Sequence, residues 1–227
     1  MIRQGKNGPR GPLLKICGLR RAADVAHCVA QRVDFVGFNL YFGSKRFIEA
    51  DAARHLWTGL SDRGTTSAVA VVVDIDPDEL TRIVGAFPEL TAVQFHGQES
   101  PERLTELRKR LGGRAVWKAL GVATEGDVRE TPRRYHGRCD LILVDQAKIP
   151  SGATVMGGSG QAFDWQWIKA YSAGIPLGVA GGITPVNAAE VCAYAQVSLV
   201  DVSTGVESAP GEKEPAAIAA LARIMAL

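Results

Sequence analysis

A lysine and a cysteine two residues apart, in Leu14-Lys15-Ile16-Cys17-Gly18, form the first pair in this sequence whose types and spacing could do chemistry. In a β-strand alternate residues share a face, so Lys15 and Cys17 point together while Leu14 and Ile16 point the other way. An ammonium group beside a thiol lowers the thiol pKa and raises the fraction present as thiolate. A buried lysine is costly unless it has a partner or a task, and Cys17 can equally be read as a small buried hydrophobe. Asp145 closes the apolar run Leu141-Ile142-Leu143-Val144. A carboxyl group there is partly desolvated, and its pKa can rise into the range of a general acid. The other reading of Asp145 is a cap or an ion pair in the following loop.

Glycine-containing turns follow two further apolar runs, in Val179-Ala180-Gly181-Gly182 and Asp201-Val202-Ser203-Thr204-Gly205. Gly181, Gly182 and Gly205 would let backbone N–H groups approach anionic oxygens, and Ser203 and Thr204 add hydroxyl donors, so the two turns together read as a phosphate site. Gln94 and His96 alternate on one face of another run; His96 is either a structural histidine or part of the site. Arg46, in Ser44-Lys45-Arg46-Phe47, could clamp a carboxylate bidentately or be an ordinary surface arginine.

The elements that must position these groups follow from hydrophobic periodicity. Runs rich in Val, Ile and Leu predict strands near 13–17, 34–39, 67–73, 91–95, 114–119, 140–145, 176–180 and 198–202. Helical spacing predicts helices over 21–31, 51–61, 77–86, 101–111, 124–134, 164–172, 185–195 and 214–226. Asp76-Pro77, Ser100-Pro101 and Thr184-Pro185 each place a capping residue before a proline at a first helical turn. Strands alternating with helices imply a parallel sheet buried on both faces. The first run ends in Cys17-Gly18-Leu19-Arg20 rather than G-x-G-x-x-G, which disfavours an open dinucleotide-binding sheet. The fold class expected is therefore α/β, a single (β/α)8 TIM barrel over residues 13–227, with residues 1–12 a flexible N-terminal tail. Active sites of such barrels lie where strands end, and their phosphate sites often follow strands seven and eight. The stretch from Gln146 to Phe163, rich in Gly, Ser and Thr, follows the sixth strand, where so long a loop is usually functional or mobile.

A chain of 227 residues with 46% hydrophobic and 22% charged side chains suits one globular domain of this kind. Its 26 basic and 24 acidic side chains leave a formal charge of +2, which gives no support to nucleic-acid binding. No run is long and apolar enough to span a bilayer. The tail carries Arg3, Lys6 and Arg10 without the apolar stretch of a secretory signal, so a cytoplasmic protein is expected. Cys17, Cys28, Cys139 and Cys192 lie far apart without a C-x-x-C pair, which fits reduced thiols better than zinc or a disulfide framework.

Seven motifs in one order carry a family resemblance. They are Lys-Ile-Cys-Gly at 15–18, Gly-Phe, Tyr and Ser-Lys-Arg between 37 and 46, and Val-Gln-Phe-His-Gly at 93–97. Gly-Gly-Ser-Gly and Phe-Asp-Trp follow between 157 and 165, then Ala-Gly-Gly-Ile-Thr-Pro-x-Asn at 180–187. Asp-Val-Ser-Thr-Gly-Val-Glu at 201–207, with Pro210-Gly211 and Lys213, completes the set. Over residues 13–227 the chain resembles the phosphoribosylanthranilate isomerases of tryptophan biosynthesis. The resemblance implies an Amadori rearrangement without metal or organic cofactor, on a small phosphorylated sugar, by a monomer or homodimer. It implies Asp145 as general acid and Cys17 as general base, with Arg46 on the anthranilate carboxylate. Gly181, Gly182, Ser203, Thr204 and Gly205 would hold the phosphate; Lys15, Gln94 and His96 would line the substrate site, with Asp201 near the ribose or supporting the phosphate loop. Asn39, Phe42-Gly43, Gln146 and the length of 149–156 depart from the commoner pattern, which bears on loop closure and substrate preference rather than reaction class. A histidine-pathway ketol-isomerase would place an aspartate where Cys17 stands, and a barrel that only bound phosphosugars would need neither Cys17 nor Asp145.

Overall fold

Strands that are apolar on both faces must pair in parallel beneath a helical layer. The computed structural model, which describes residues 11–146 and 163–226, closes eight such strands into one barrel. They are β1 (Leu13–Cys17), β2 (Phe35–Asn39), β3 (Ser67–Val72), β4 (Leu90–Phe95), β5 (Ala115–Val122), β6 (Leu141–Gln146), β7 (Leu177–Val179) and β8 (Val197–Val202). Each pairs with the next, and β8 closes on β1 through Lys15 opposite Asp201. The barrel expected from periodicity is the barrel observed.

The helices are α1 (Ala22–Ala30), α2 (Ala50–Thr58), α3 (Pro77–Ala86), α4 (Pro101–Arg108), α5 (Glu125–Glu130), α6 (Ala188–Cys192) and α7 (Pro215–Met225). Asp76 caps α3 by accepting from the N–H groups of Asp78 and Glu79, and Ser100 caps α4 by accepting from Arg103. Thr184-Pro185 does not start a helix, contrary to its capping pattern. Asn187 Oδ1 accepts from the Thr184 N–H at 2.7 Å, closing a turn there, and α6 begins only at Ala188. The segment expected as a helix at 164–172 is a 3-10 helix, Trp165–Ala170. After β8 come a 3-10 turn (Thr204–Val206) and a small hairpin of β9 (Glu207–Ala209) with β10 (Glu212–Lys213). Residues 1–10 of the expected tail, and 147–162 with the Gly157-Gly158-Ser159-Gly160 motif, lie outside the described residues. None of the described helices is long and apolar enough to cross a membrane.

Alternation along the strands splits the core in two. Leu14, Ile16, Val36 and Phe38 pack outward against the helices, while Val69, Trp117, Leu141, Leu143 and Leu199 fill the barrel interior. Phe35 meets Trp117 edge to face at 4.9 Å in that interior. The apolar plug leaves chemistry only at the carboxyl rim.

Two buried thiols of the layer between strands and helices give a pH test of the core. Burial pushes both Cys28 and Cys139 up to about 12. Because the folded values are raised, the stability they contribute is complete below the unfolded thiol value of about 8.5 and is lost as pH climbs towards the folded one. The urea midpoint is expected to fall from pH 9 to 11, and to fall less steeply when both residues are replaced by Ala. An unchanged slope would show that these thiols do not drive the alkaline loss.

Candidate active site

The interior face of β1 carries Lys15 and Cys17, as its alternation requires. Lys15 is wholly buried, and its Nζ lies 2.8 Å from Asp201 Oδ2 on the neighbouring strand. Burial works against the ammonium form, but Asp201 and the Cys17 sulfur outweigh it, so the Lys15 pKa ends above its ordinary value. The effect on Cys17 is opposite to the one its neighbour suggests. Burial pushes the Cys17 thiol up, Asp201 adds to the rise, and the pull of Lys15 and Lys213 towards thiolate does not offset them. The lysine is already neutralised by its aspartate. At rest the group is therefore a thiol, half-buried, with part of its surface open. Gly37 on β2 makes room for it, since a Cβ there would sit 2.9 Å from Cys17 Sγ and 3.0 Å from Lys15 Cε.

Burial is the largest cause of the rise, and the share that Asp201 adds can be tested. Asp201→Asn removes the anion that raises the thiol and frees Lys15 to pair with a thiolate. The apparent pKa of Cys17, read as its alkylation rate against pH with the peptide identified, is expected to drop. An unchanged or higher value would show that Lys15 and Asp201 do not control the thiol.

Across the barrel, Asp145 projects from the interior face of β6. Its Oδ1 accepts from the Gln146 N–H at 2.8 Å, and its Oδ2 lies 3.7 Å from His96 Nε2. Gln94 Nε2 approaches His96 Nδ1 at 3.4 Å, so Gln94 on β4, His96 just beyond its end and the carboxylate form one polar file. Gly181 has φ +88, and a Cβ on it would stand 2.7 Å from Asp145 Oδ1. The glycine thus serves the turn and the carboxyl group at once. Two buried acceptors of the rim, Gln94 Oε1 and Asp201 Oδ1, have no hydrogen-bond partner among the described residues. Buried acceptors of this kind are satisfied by water or by a ligand's hydroxyl groups.

The turns after β7 and β8 pack backbone to backbone. A Cβ on Gly205 would run into the Ile183 carbonyl, and Gly182 takes φ +66 while its carbonyl accepts from Asn187 Nδ2 at 3.0 Å. Thr204 opens the 3-10 turn beside them. The Ser203 hydroxyl donates to the Cys17 carbonyl at 3.1 Å.

Arg46 reaches the rim from the β2–α2 loop, but its fork is occupied. Nε and Nη2 pair with the two carboxylate oxygens of Glu207, the first at 2.8 Å. Glu207 also accepts from Lys213 Nζ at 2.6 Å, and Lys213 donates in turn to the Cys17 carbonyl at 2.6 Å. Sequence reasoning placed Glu207 and Lys213 in a motif without a task. It missed a second buried pair altogether: Lys118 points outward from β5 to Glu99 at 2.9 Å and to the Gly97 carbonyl at 2.7 Å. Glu99 in turn accepts from the N–H groups of Asp74 and Gly97. That cluster fixes the turn immediately after His96. The sequence signal was a lysine inside an apolar strand.

Residues 14–223 match the family model described as N-(5'phosphoribosyl)anthranilate (PRA) isomerase. The chain belongs to this family. A PRA isomerase of Cereibacter sphaeroides is 43% identical over 210 residues, covering 92% of this chain and 96% of the relative. One of Rhodopseudomonas palustris is 40% identical, over 89% of this chain and 92% of its own. Among solved PRA isomerases, that of Thermotoga maritima superposes with a TM-score of 0.79 at 30% identity, over 94% of this chain and 98% of the other. A PRA isomerase solved in complex with reduced 1-(o-carboxyphenylamino)-1-deoxyribulose 5-phosphate superposes at 0.76 with 28% identity, over the same shares.

Proposed function

We propose that the protein converts N-(5′-phosphoribosyl)anthranilate into 1-(2-carboxyphenylamino)-1-deoxyribulose 5-phosphate, a step of tryptophan biosynthesis. The observation that carries this reading is the placement of a thiol and a carboxyl group on the interior faces of β1 and β6, both at the carboxyl rim and separated around the barrel by β7 and β8. An acid and a base on different strands can flank one sugar.

In this reading the substrate phosphate lies against Gly181, Gly182, Thr204 and Gly205, with Ser203 holding the loop rather than the phosphate. Asp145 donates a proton to the furanose ring oxygen; the C1′–O bond breaks and the ring opens to a Schiff base. Cys17, as thiolate, takes the proton from C2′, and that electron pair moves towards C1′ and the nitrogen to give an enolamine. The enolamine gains a proton at C1′ and loses one from the C2′ hydroxyl, leaving the ketone. No net electrons or atoms are exchanged with a cofactor. Asp201 Oδ1 and Gln94 Oε1 accept from the sugar hydroxyls, and His96 orients the carboxyl group of Asp145.

The raised thiol pKa fits this order of events. Cys17 need not be a thiolate in the empty site if the cation of the Schiff base, formed first, favours the anion beside it. The test is the fluorescence of freshly made phosphoribosylanthranilate, which is expected to decay on adding the protein. A trace no steeper than the spontaneous one would overturn the reading.

A further inference from the structure

Arg46 meets two ionic side chains from a distant part of the chain behind Cys17, and neither of those two, Glu207 and Lys213, has a task in acid, base or phosphate binding. Arg46 comes from the β2–α2 loop, Glu207 from the first residue of β9 and Lys213 from the last of β10. The side chains of Lys213 and Glu207 are 0% and 4% exposed, and that of Arg46 is 18% exposed. Such burial is expensive unless every group is paired. Here every group is. Glu207 Oε1 accepts from Arg46 Nε, from Lys213 Nζ and from the Gly211 N–H at 3.1 Å; Oε2 accepts from Arg46 Nη2. Lys213 Nζ spends its remaining donors on the carbonyls of Cys17, at 2.6 Å, and Ser203, at 3.2 Å.

The hairpin that carries the pair is itself bolted down. Arg21 grips Asp24 with two nitrogens and donates a third bond to the Lys213 carbonyl, while Asp24 accepts from the Lys213 N–H. On its other side, Arg46 lies so close to Gly18, at φ +78, that a Cβ there would collide with Arg46 Cδ. The Arg46 side chain thus runs with its aliphatic stem against Gly18 and its guanidinium on Glu207.

A guanidinium has five N–H donors in a fixed plane, and Glu207 takes the Nε/Nη2 edge. Only the outer edge, Nη1 with the second hydrogen of Nη2, remains for another carboxylate. We propose that Glu207, neutralised by Lys213, is a positioning residue that locks Arg46 so that its outer edge reads the carboxylate of the substrate. The same ion pair, through the Cys17 carbonyl, holds the thiol at a fixed distance from that edge. This rests on the reading that Arg46 meets the aryl carboxylate.

The geometry makes the pair work as a ruler between the carboxylate and C2′. In Glu207→Gln the side-chain NH2 would face one of the two Arg46 donors, so the two-point fork is broken and the plane is free to turn. The readout is selectivity rather than activity. Two ligands are compared on the whole protein by calorimetry: the reduced product analogue with its aryl carboxylate, and its phenyl counterpart without one. The wild-type protein is expected to prefer the carboxylated ligand on the order of ten- to a hundredfold, the range for a charged hydrogen-bonded contact. Glu207→Gln is expected to lose most of that preference while binding the phenyl ligand nearly as the wild type does. The double variant with Arg46→Ala should be no less selective than Arg46→Ala alone, because the two residues act through one contact.

Glu207→Asp guards against a variant that does not fold. It keeps a charge beside Lys213 but is too short to hold both Arg46 nitrogens, and it too should lose preference. Equal weakening of both ligands by the Glu207 variants, or retention of the wild-type preference in them, would overturn the positioning role alone. If Arg46→Ala itself keeps the preference, the carboxylate is read elsewhere, and both readings fall.

Discussion

Replacing Cys17 by Ser is expected to lower kcat/KM for phosphoribosylanthranilate by about 10²–10⁴-fold, the range for losing a positioned general base. The substitution is nearly isosteric, so the β1 backbone, its bonds from Ser203 and Lys213, and the contact with Gly37 all remain. What changes is acidity. A serine hydroxyl is far weaker as an acid than a thiol, and the burial that already pushes the thiol up would keep the hydroxyl protonated throughout the working range. The pH profile separates this from a packing defect. In the wild-type protein, kcat/KM should rise with pH along a limb set by Cys17, placed above the ordinary thiol value. The limb should vanish in Cys17→Ser and move to lower pH in Asp201→Asn. A Cys17→Ser protein that keeps the wild-type rate and limb would remove the thiol from the reaction.

Asp145→Asn is expected to cost a similar factor, about 10²–10⁴-fold, for a different reason. The amide keeps the shape and can still accept from the Gln146 N–H, but it has no proton to deliver to the ring oxygen. Substrate affinity should change little, because the group is asked to act mainly as the ring opens. His96, 3.7 Å away, is no substitute unless a proton can pass through it to the sugar. If Asp145→Asn raised KM and left kcat intact, the carboxyl group would be a binding contact and the acid would have to be sought elsewhere. His96→Asn would then be the variant to compare.

Much of this site was legible from residue order. Continuous apolar runs rich in Val, Ile and Leu located all eight strands within a few residues of their observed bounds, because a strand buried on both faces has no freedom to be polar. Alternation correctly paired Lys15 with Cys17, and Gln94 with His96. Propensity was less reliable where side chains compete for the backbone. Thr184 has the pattern of a cap, yet Asn187 captures its N–H and delays α6. Lys15 does pull Cys17 towards thiolate, as its spacing suggests, but burial of the thiol and the Asp201 carboxylate on β8, 186 residues from Lys15 in sequence, outweigh that pull. The same distance hid the Arg46–Glu207 pair, separated by 161 residues. Ion pairs across a barrel leave no periodicity, only buried charges that must be matched after folding.

Placement of the glycines carries a further lesson. Gly37 and Gly181 were expected to matter as motif members or as phosphate donors. In the fold, each is also the empty space beside a reactive group, Cys17 Sγ for one and Asp145 Oδ1 for the other. A Cβ at either position would displace the group before it touched a substrate. Such roles follow from what a residue lacks, and they become visible only when the neighbouring strand is in place.

The most direct measurement is a crystal structure of this protein with the reduced product analogue bound. The sugar should span the rim with its phosphate against the turns at Gly181-Gly182 and Thr204-Gly205. Cys17 Sγ should face C2′, and the Asp145 carboxyl group should lie within about 3.2 Å of the oxygen derived from the ring, on the other side. A ligand seated with both groups on one side, or with either beyond reach of its atom, would contradict the two-sided mechanism.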